Sequence, residues 1–478
     1  MFFSYKLLPM TDIATCRLEE HILDNQIGFG FRKSLLTPSD IQEAATLKVT
    51  CKISKKYESN DKNGLIKHIT SLINLISNYD FITIPGFLEN RIPEIFLDLL
   101  NKDDIELNNL IVSLIAKLTI YPQLFQHFLT RGYIECITRY FKTANVTNIT
   151  FDYFLYLKNL LIISTNQADF QFLIDNSIIK IICDYSKILA NVEFIDICFD
   201  ILILLSSIHL EKEQITDMFN FINFILYGSI SHSSNIVKIF KILNNLFISD
   251  SIIFDLFEDN GYIELIQCHL NKPSEIATYY SCLLISQIYT KFNCKSQFHM
   301  RKLLEIIISE EYNNPAIEKC STAASNALFA QLTAMPHLAS FLMNDNSFQQ
   351  LFQAAQRKSL LSKISIMKIF LCLIKESTKE NFFKVFTADQ KISRNQKQHN
   401  HAFFQFIADM ADGNNTSLKI SLKLLLLIFE KSNLFGTIDD CKENFLKVFS
   451  EDFFEKMDSF EDGEIIYDFQ KLRNYFPR

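Results

Sequence analysis

The chain has no tryptophan, and only 10 glycines and 9 prolines among 478 residues. These turn formers fill about a third of the positions they usually do. Strand-rich folds need a turn residue every 8–12 positions or so, so a mainly β architecture is excluded. Runs of 18 apolar residues are also missing. The longest candidate, Phe194–Leu210, is broken by Asp196 and Asp200 and reads as a buried amphipathic helix, not a membrane span. Met1 to Met10 carries no apolar core of signal-peptide length. Neither membrane insertion nor secretion is therefore expected, and the sequon Asn148-Ile-Thr150 carries no meaning for glycosylation.

Chemistry-bearing motifs are equally scarce. No G-x-x-x-x-G-K-[ST] phrase occurs, and Gly28-Phe-Gly30 lacks the third glycine and the strand that a dinucleotide loop requires. The 11 cysteines form no C-x-x-C pair. Cys136, Cys183, Cys198, Cys282 and Cys372 lie inside apolar helical patterns, where a free thiol acts as a small core residue, as suits a reducing compartment. Cytoplasm or nucleus follows by elimination. His399-Asn-His401 is a close histidine pair without a third ligand nearby, and adjacent Cys268 and His269 diverge on a helix. Asp439-Asp440-Cys-Lys-Glu443 has the outline of an acidic metal phrase but no companion, and a helix start explains it better. No catalytic residue, metal or cofactor is expected.

Net charge is −7, of which the 11 acidic and 6 basic residues of Asp439–Arg478 contribute −5. A near-neutral body lacks the basic face of a sequence-independent nucleic-acid binder. The local clusters Lys48, Lys52, Lys55, Lys56 and Lys391, Arg394, Lys397 read as solvated helix faces and loops.

What the chain does have is apolar residues at helical spacing and a repeat. One phrase, a helix end followed by a new helix, starts at Phe87, Phe128, Phe172, Phe257 and Phe341, in steps of 41, 44, 85 and 84 residues. The last two are double steps. Gly or Asn in this phrase lets the chain leave one helix through a left-handed residue. A second phrase, apolar-x-polar-apolar, recurs inside the longest helix of each unit at Lys117, Asn159, Ser207, Asn245, Gln287 and Gln331, with a mean step near 43. Between the two anchors the unit reads as three helices. Pro122–Thr130 and Tyr133–Tyr140 are short, Thr143–Thr150 is a polar connection, and Phe151–Ser164 is long and presents Phe154, Leu157, Leu160 and Leu161 on one face. One such triplet cannot bury its own apolar surface, whereas a stack can.

These residues resemble the armadillo-repeat family, which has this period, a glycine between its first two helices and an L-x-N-[LI] phrase in its third. The resemblance runs from about Ile66 to Ser377. It implies an all-α, armadillo-like right-handed superhelical solenoid of three-helix repeats. HEAT repeats share the period without the glycine. The expected organisation is an irregular segment and opening helix over 1–60, the repeat array over 61–380, divergent repeats around a polar Lys391–Asn400 loop over 381–438, and an acidic capping segment over 439–478.

In the family the polar position of the third helix faces a groove, where Asn holds the backbone of an extended peptide. The resemblance therefore implies a peptide groove lined by Asn159, Ser207, Asn245, Gln287 and Gln331. A carboxamide both donates and accepts, which matches a peptide N–H and C=O. Importin-α-type carriers place Trp one turn earlier; here those positions are Leu155, Lys241, Leu283 and Ala327, so nuclear-import activity is not implied. The expected function is a non-catalytic scaffold or adaptor that binds other proteins and is monomeric outside its complex. The alternative is a regulatory subunit docked on a kinase or phosphatase.

Overall fold

A computed structural model describes residues 38–476 except 79–83, 103, 119–120, 144–150, 165–166, 189–190, 229–232, 250–251, 253, 272–273, 293, 310–313, 345 and 387–393. Gly28-Phe-Gly30, Asn148 and Lys391 lie outside the described residues. Every regular element among the described residues is a helix.

The chain divides into two compact units, Met1–Leu205 with Asp217–Ile230, and Ser206–Thr216 with Ser231–Arg478. The first holds α1 (Pro38–Glu58), α2 (Lys62–Asn78), α3 (Ile84–Glu89), α4 (Ile92–Leu100), α5 (Ile105–Lys117), α6 (Pro122–Phe125), α7 (Arg131–Thr143), α8 (Phe151–Ile163), α9 (Gln167–Asp175), α10 (Ile178–Ile188) and α11 (Val192–Leu205). Helix α12 (Lys212–Tyr227) crosses the division. The second holds α13 (Ser233–Ile248), α14 (Phe254–Asp259), α15 (Tyr262–Leu270), α16 (Glu275–Lys291), α17 (Met300–Ile308), α18 (Pro315–Ala334), α19 (His337–Asn344), α20 (Ser347–Arg357) and α21 (Leu360–Lys375). It continues with α22 (Lys379–Phe386), α23 (Arg394–Ala411), α24 (Asn415–Phe435), α25 (Ile438–Leu446), α26 (Glu451–Asp458) and α27 (Gly463–Arg473).

Long third helices form the spine of each unit. In the first, α2, α5, α8 and α11 pack each on the next; in the second, α13, α16, α18, α21, α24 and α27 do the same. Their starts are set locally. Asp104 accepts from Leu107 N–H at 3.3 Å to cap α5, Ser274 caps α16, and Asn314 caps α18 ahead of Pro315. Asn414 and Ser417 form a reciprocal box at α24. Phe154, Leu157 and Leu160 of α8 are at most 1% exposed, so the helix presents a dry face to its neighbours.

The period reappears as tertiary register. In the first unit the Tyr57 hydroxyl donates to Asp98 at 2.9 Å and Asn90 to Thr50 at 3.0 Å, across 41 and 40 residues. In the second, Lys423 donates to Glu464 across 41 residues and Lys456 to Asp412 across 44. One repeat thus lies directly beside the next.

The first anchor phrase works by the expected device, with the expected residue type at Gly261 and Asn346 and a different one at Arg91 and Ser177. Arg91, Ser177, Gly261 and Asn346 all have positive φ, between 54° and 71°, each one residue before a second helix. Gly132, the glycine of the phrase that starts at Phe128, instead lies inside α7. A left-handed non-glycine residue costs roughly 1–2 kcal/mol. The preceding asparagine helps to hold the bend: Asn90, Asn176 and Asn260 donate to Gly86, Phe172 and Leu256 carbonyls at 2.9, 2.7 and 2.6 Å.

Two readings need correction, the Lys391–Asn400 loop and the burial of Cys372. The segment read as a polar loop over Lys391–Asn400 is helical from Arg394, since Asn, Gln and Lys without Gly or Pro can continue a helix that tertiary packing supports. The acidic end forms three helices, α25 to α27, around Phe429, Phe445, Phe449 and Phe476. Asp439 and Asp440 sit in the first turn of α25, where anionic side chains favour the helix dipole, while Thr437 holds the cap position. Cys136, Cys183, Cys198 and Cys282 are buried, but Cys372 is half-exposed. Burial pushes the Cys183, Cys198 and Cys282 thiols up, so they stay protonated and inert.

Candidate protein-interaction surface

The five ladder residues do not form one row of open amides. Asn159, on α8 of the first unit, is half-buried, and its carboxamide makes no hydrogen bond among the described residues. Ser207 is exposed in the turn that follows α11, not on the helix. Asn245 donates to the Ser206 hydroxyl at 3.2 Å. Gln287 donates to the Asn244 side chain at 2.9 Å, which braces α16 on α13. Gln331 is fully buried and donates to the Phe298 carbonyl at 3.1 Å, so it is a core residue and not a groove residue. Sequence period places polar residues on the third helices, but the polar position drifts around the helix from repeat to repeat.

The partly exposed face of these helices in the second unit carries other residues, most of them half-buried. On α16 the stripe runs through Ile276, Tyr280 and Leu283; on α18 through Lys319, Thr322, Asn326 and Phe329. Cross-helix contacts put the stripes side by side. The Lys241 ammonium of α13 lies 5.8 Å from the Tyr280 ring, and the Lys368 ammonium of α21 lies 6.0 Å from the Phe329 ring. Thr322 and Ser362 hydroxyls meet at 2.6 Å, and Thr333 approaches the Cys372 Sγ at 3.8 Å.

This face is basic. Its stripes carry Lys241, Lys319, Lys368 and Lys375, and the four helices hold only two acidic residues, Glu275 and Glu318. Glu318 is already engaged, accepting from the Ser359 N–H at 3.0 Å and the Ser362 hydroxyl at 2.6 Å. Burial pushes its carboxyl up, but these donated hydrogen bonds outweigh burial and hold it below the usual range. Lys241, Lys319, Lys368 and Lys375 make no ion pair among the described residues. The next third helix shows the contrast. On α24, Lys419 lies 2.9 Å from Asp462 and 3.0 Å from Glu464, and Lys423 lies 2.6 Å from Glu464. The acidic start of α27 supplies these carboxylates, and their hydrogen bonds raise the Lys419 ammonium and lower both acids.

Among the described residues no three His, Cys, Asp or Glu side chains converge as a metal site, and no helix is long and apolar enough to cross a membrane.

No protein-family model and no curated protein sequence matches the chain. Solved structures do resemble it. An engineered protein superposes with a TM-score of 0.63 at 10% identity, over 89% of this chain and 98% of that one. A structure from a study of the phosphorylation switch that controls the interaction between cadherin and β-catenin gives 0.58 at 9% identity, over 98% and 97%. SYS-1, alone and in complex with POP-1, gives 0.54 at 12% identity, over 98% and 93%. With the stacked third helices and the recurring register, this likeness settles the architecture. The chain is an all-α, armadillo-like helical solenoid.

Proposed function

We propose that the chain is a non-catalytic interaction scaffold and that the third-helix face of α13, α16, α18 and α21 holds an acidic segment of a partner protein. The observation that carries this is the set of lysines without carboxylate partners on that face. On the adjoining α24 the same residue type is satisfied by the acidic start of α27. An acidic partner would do for Lys241, Lys319 and Lys368 what Asp462 and Glu464 do for Lys419 and Lys423. Tyr280 and Phe329 add apolar area beside those charges, the mixture on which anchored recognition depends. The solenoids it resembles include β-catenin, studied with cadherin, and SYS-1 with POP-1, both protein–protein pairs.

The test is fluorescence anisotropy with a labelled peptide of alternating acidic and aromatic residues. Saturable binding that weakens as salt rises is expected, because the face is reached by solvent and charge attraction is screened over about 10 Å at 0.1 M salt. Equal binding of a basic peptide of the same length, or tighter binding of single-stranded nucleic acid, would contradict the assignment.

A further inference from the structure

A cleft in the second unit presents a different set of groups. Of about 400 Å³, it opens between α20, α21 and α23, within the size range of small-ligand sites. Its apolar wall is Leu360, Phe406 and Met410. Phe406 and Met410 are buried, whereas Leu360, the first residue of α21, is left 40% exposed. A leucine facing an open cleft beside two core side chains is unfinished apolar packing.

The polar groups around it are unequal. Lys363 lines the cleft and makes no ion pair or side-chain hydrogen bond among the described residues. The Gln356 carboxamide, from α20, has none either. The single lining carboxylate, Asp409, is on α23, and one of its oxygens accepts from Gln405 at 2.8 Å while the other has no such bond. The cleft therefore offers an ammonium and an amide donor for an anion, one carboxylate oxygen for an N–H, and an apolar wall.

We propose that this cleft recognises an N-acylated apolar amino acid with a free carboxylate. The acid would bind Lys363 and Gln356, the amide N–H would donate to Asp409, and the side chain would lie on Leu360, Phe406 and Met410. The C-terminal residue of a partner chain presents this combination, and so does a small acylamino acid. A residue inside a chain does not, because it has no free carboxylate. Chain-end capture combined with a side-chain pocket is a recurring mode of peptide recognition.

The test uses the full chain and three probes: a labelled hexapeptide ending in a free leucine carboxylate, its C-terminally amidated twin, and N-acetylleucine. The acid hexapeptide should bind saturably, and amidation should weaken it at least about tenfold, as loss of a charge-assisted hydrogen bond does. Lys363→Met should cost as much, Lys363→Arg should keep most of the affinity, and Leu360→Asp should weaken both acid probes. The double variant Lys241→Glu, Lys368→Glu should leave this binding unchanged, which separates it from the basic face. N-acetylleucine binding as tightly as the hexapeptide assigns the site to a small acid; weaker binding assigns it to a chain end. Absence of binding, equal binding of the amidated twin, or indifference to Lys363→Met with unchanged helical circular dichroism would overturn the proposal.

Discussion

Leu160→Asp collapses the first unit. Leu160 is 1% exposed on α8, which packs on both α5 and α11. An aspartate there would place an unpaired carboxylate among apolar side chains on a helix shared by two neighbouring repeats. The lost packing and the buried charge together should cost about 4 kcal/mol or more, a large part of the 5–15 kcal/mol that typically holds a domain together. In a stack whose repeats contact only their neighbours, that loss spreads to adjacent repeats. Thermal melting followed at 222 nm should show an early transition that removes part of the helical signal. Glu213→Ala, at an exposed position of α12, should melt like the parent. If the two variants melt alike, the repeat register is wrong.

The double reversal Lys241→Glu, Lys368→Glu weakens binding of the acidic segment about a hundredfold. Each lysine lies over a ring of the adjoining third helix, Tyr280 or Phe329, and neither pairs with a carboxylate. Reversal replaces an attraction by a repulsion at two places on one face. Close charge pairs across interfaces couple by about 1.5 kcal/mol or more, so each reversal should weaken the acidic peptide roughly tenfold and the two together about a hundredfold. The melting temperature should change little, because neither ammonium group takes part, among the described residues, in an ion pair that the fold would lose. A basic peptide of the same length should gain affinity for the double variant. Unchanged binding of the acidic peptide with an intact fold would place the partner elsewhere.

The repeat was legible because burying one face of each third helix demands apolar residues at fixed spacing, and Phe154, Leu157 and Leu160 meet that demand. The bend between the first and second helices was legible in position and, at Gly261 and Asn346, in residue type. Arg91 and Ser177 tolerate the left-handed conformation where Gly or Asn was expected, and Gly132 sits in a helix. The groove residues were the least legible. Gln331 shares its sequence phrase with Asn159, yet it lies in the core with its amide on the Phe298 carbonyl. A polar residue of a third helix either faces outward or braces a neighbour, and a rotation of one residue decides which. The signal that could have found the basic face was present: Lys241 stands where peptide carriers of the importin-α type have tryptophan. Its equivalence to Lys368 appears only when Tyr280 and Phe329 are seen beside the two lysines. The helix from Arg394 was hidden because its first turns contain no apolar residue.

Zero-length carbodiimide coupling tests the central claim most directly, because it joins carboxylates only to amines already in contact with them. The chain is mixed with the acidic peptide at low salt, coupled, digested and read by mass spectrometry. Peptide attachment concentrated at Lys241, Lys319, Lys368 and Lys375 is the predicted result. Attachment spread evenly over other exposed lysines such as Lys142 and Lys187, or concentrated on a different set of helices, would contradict it.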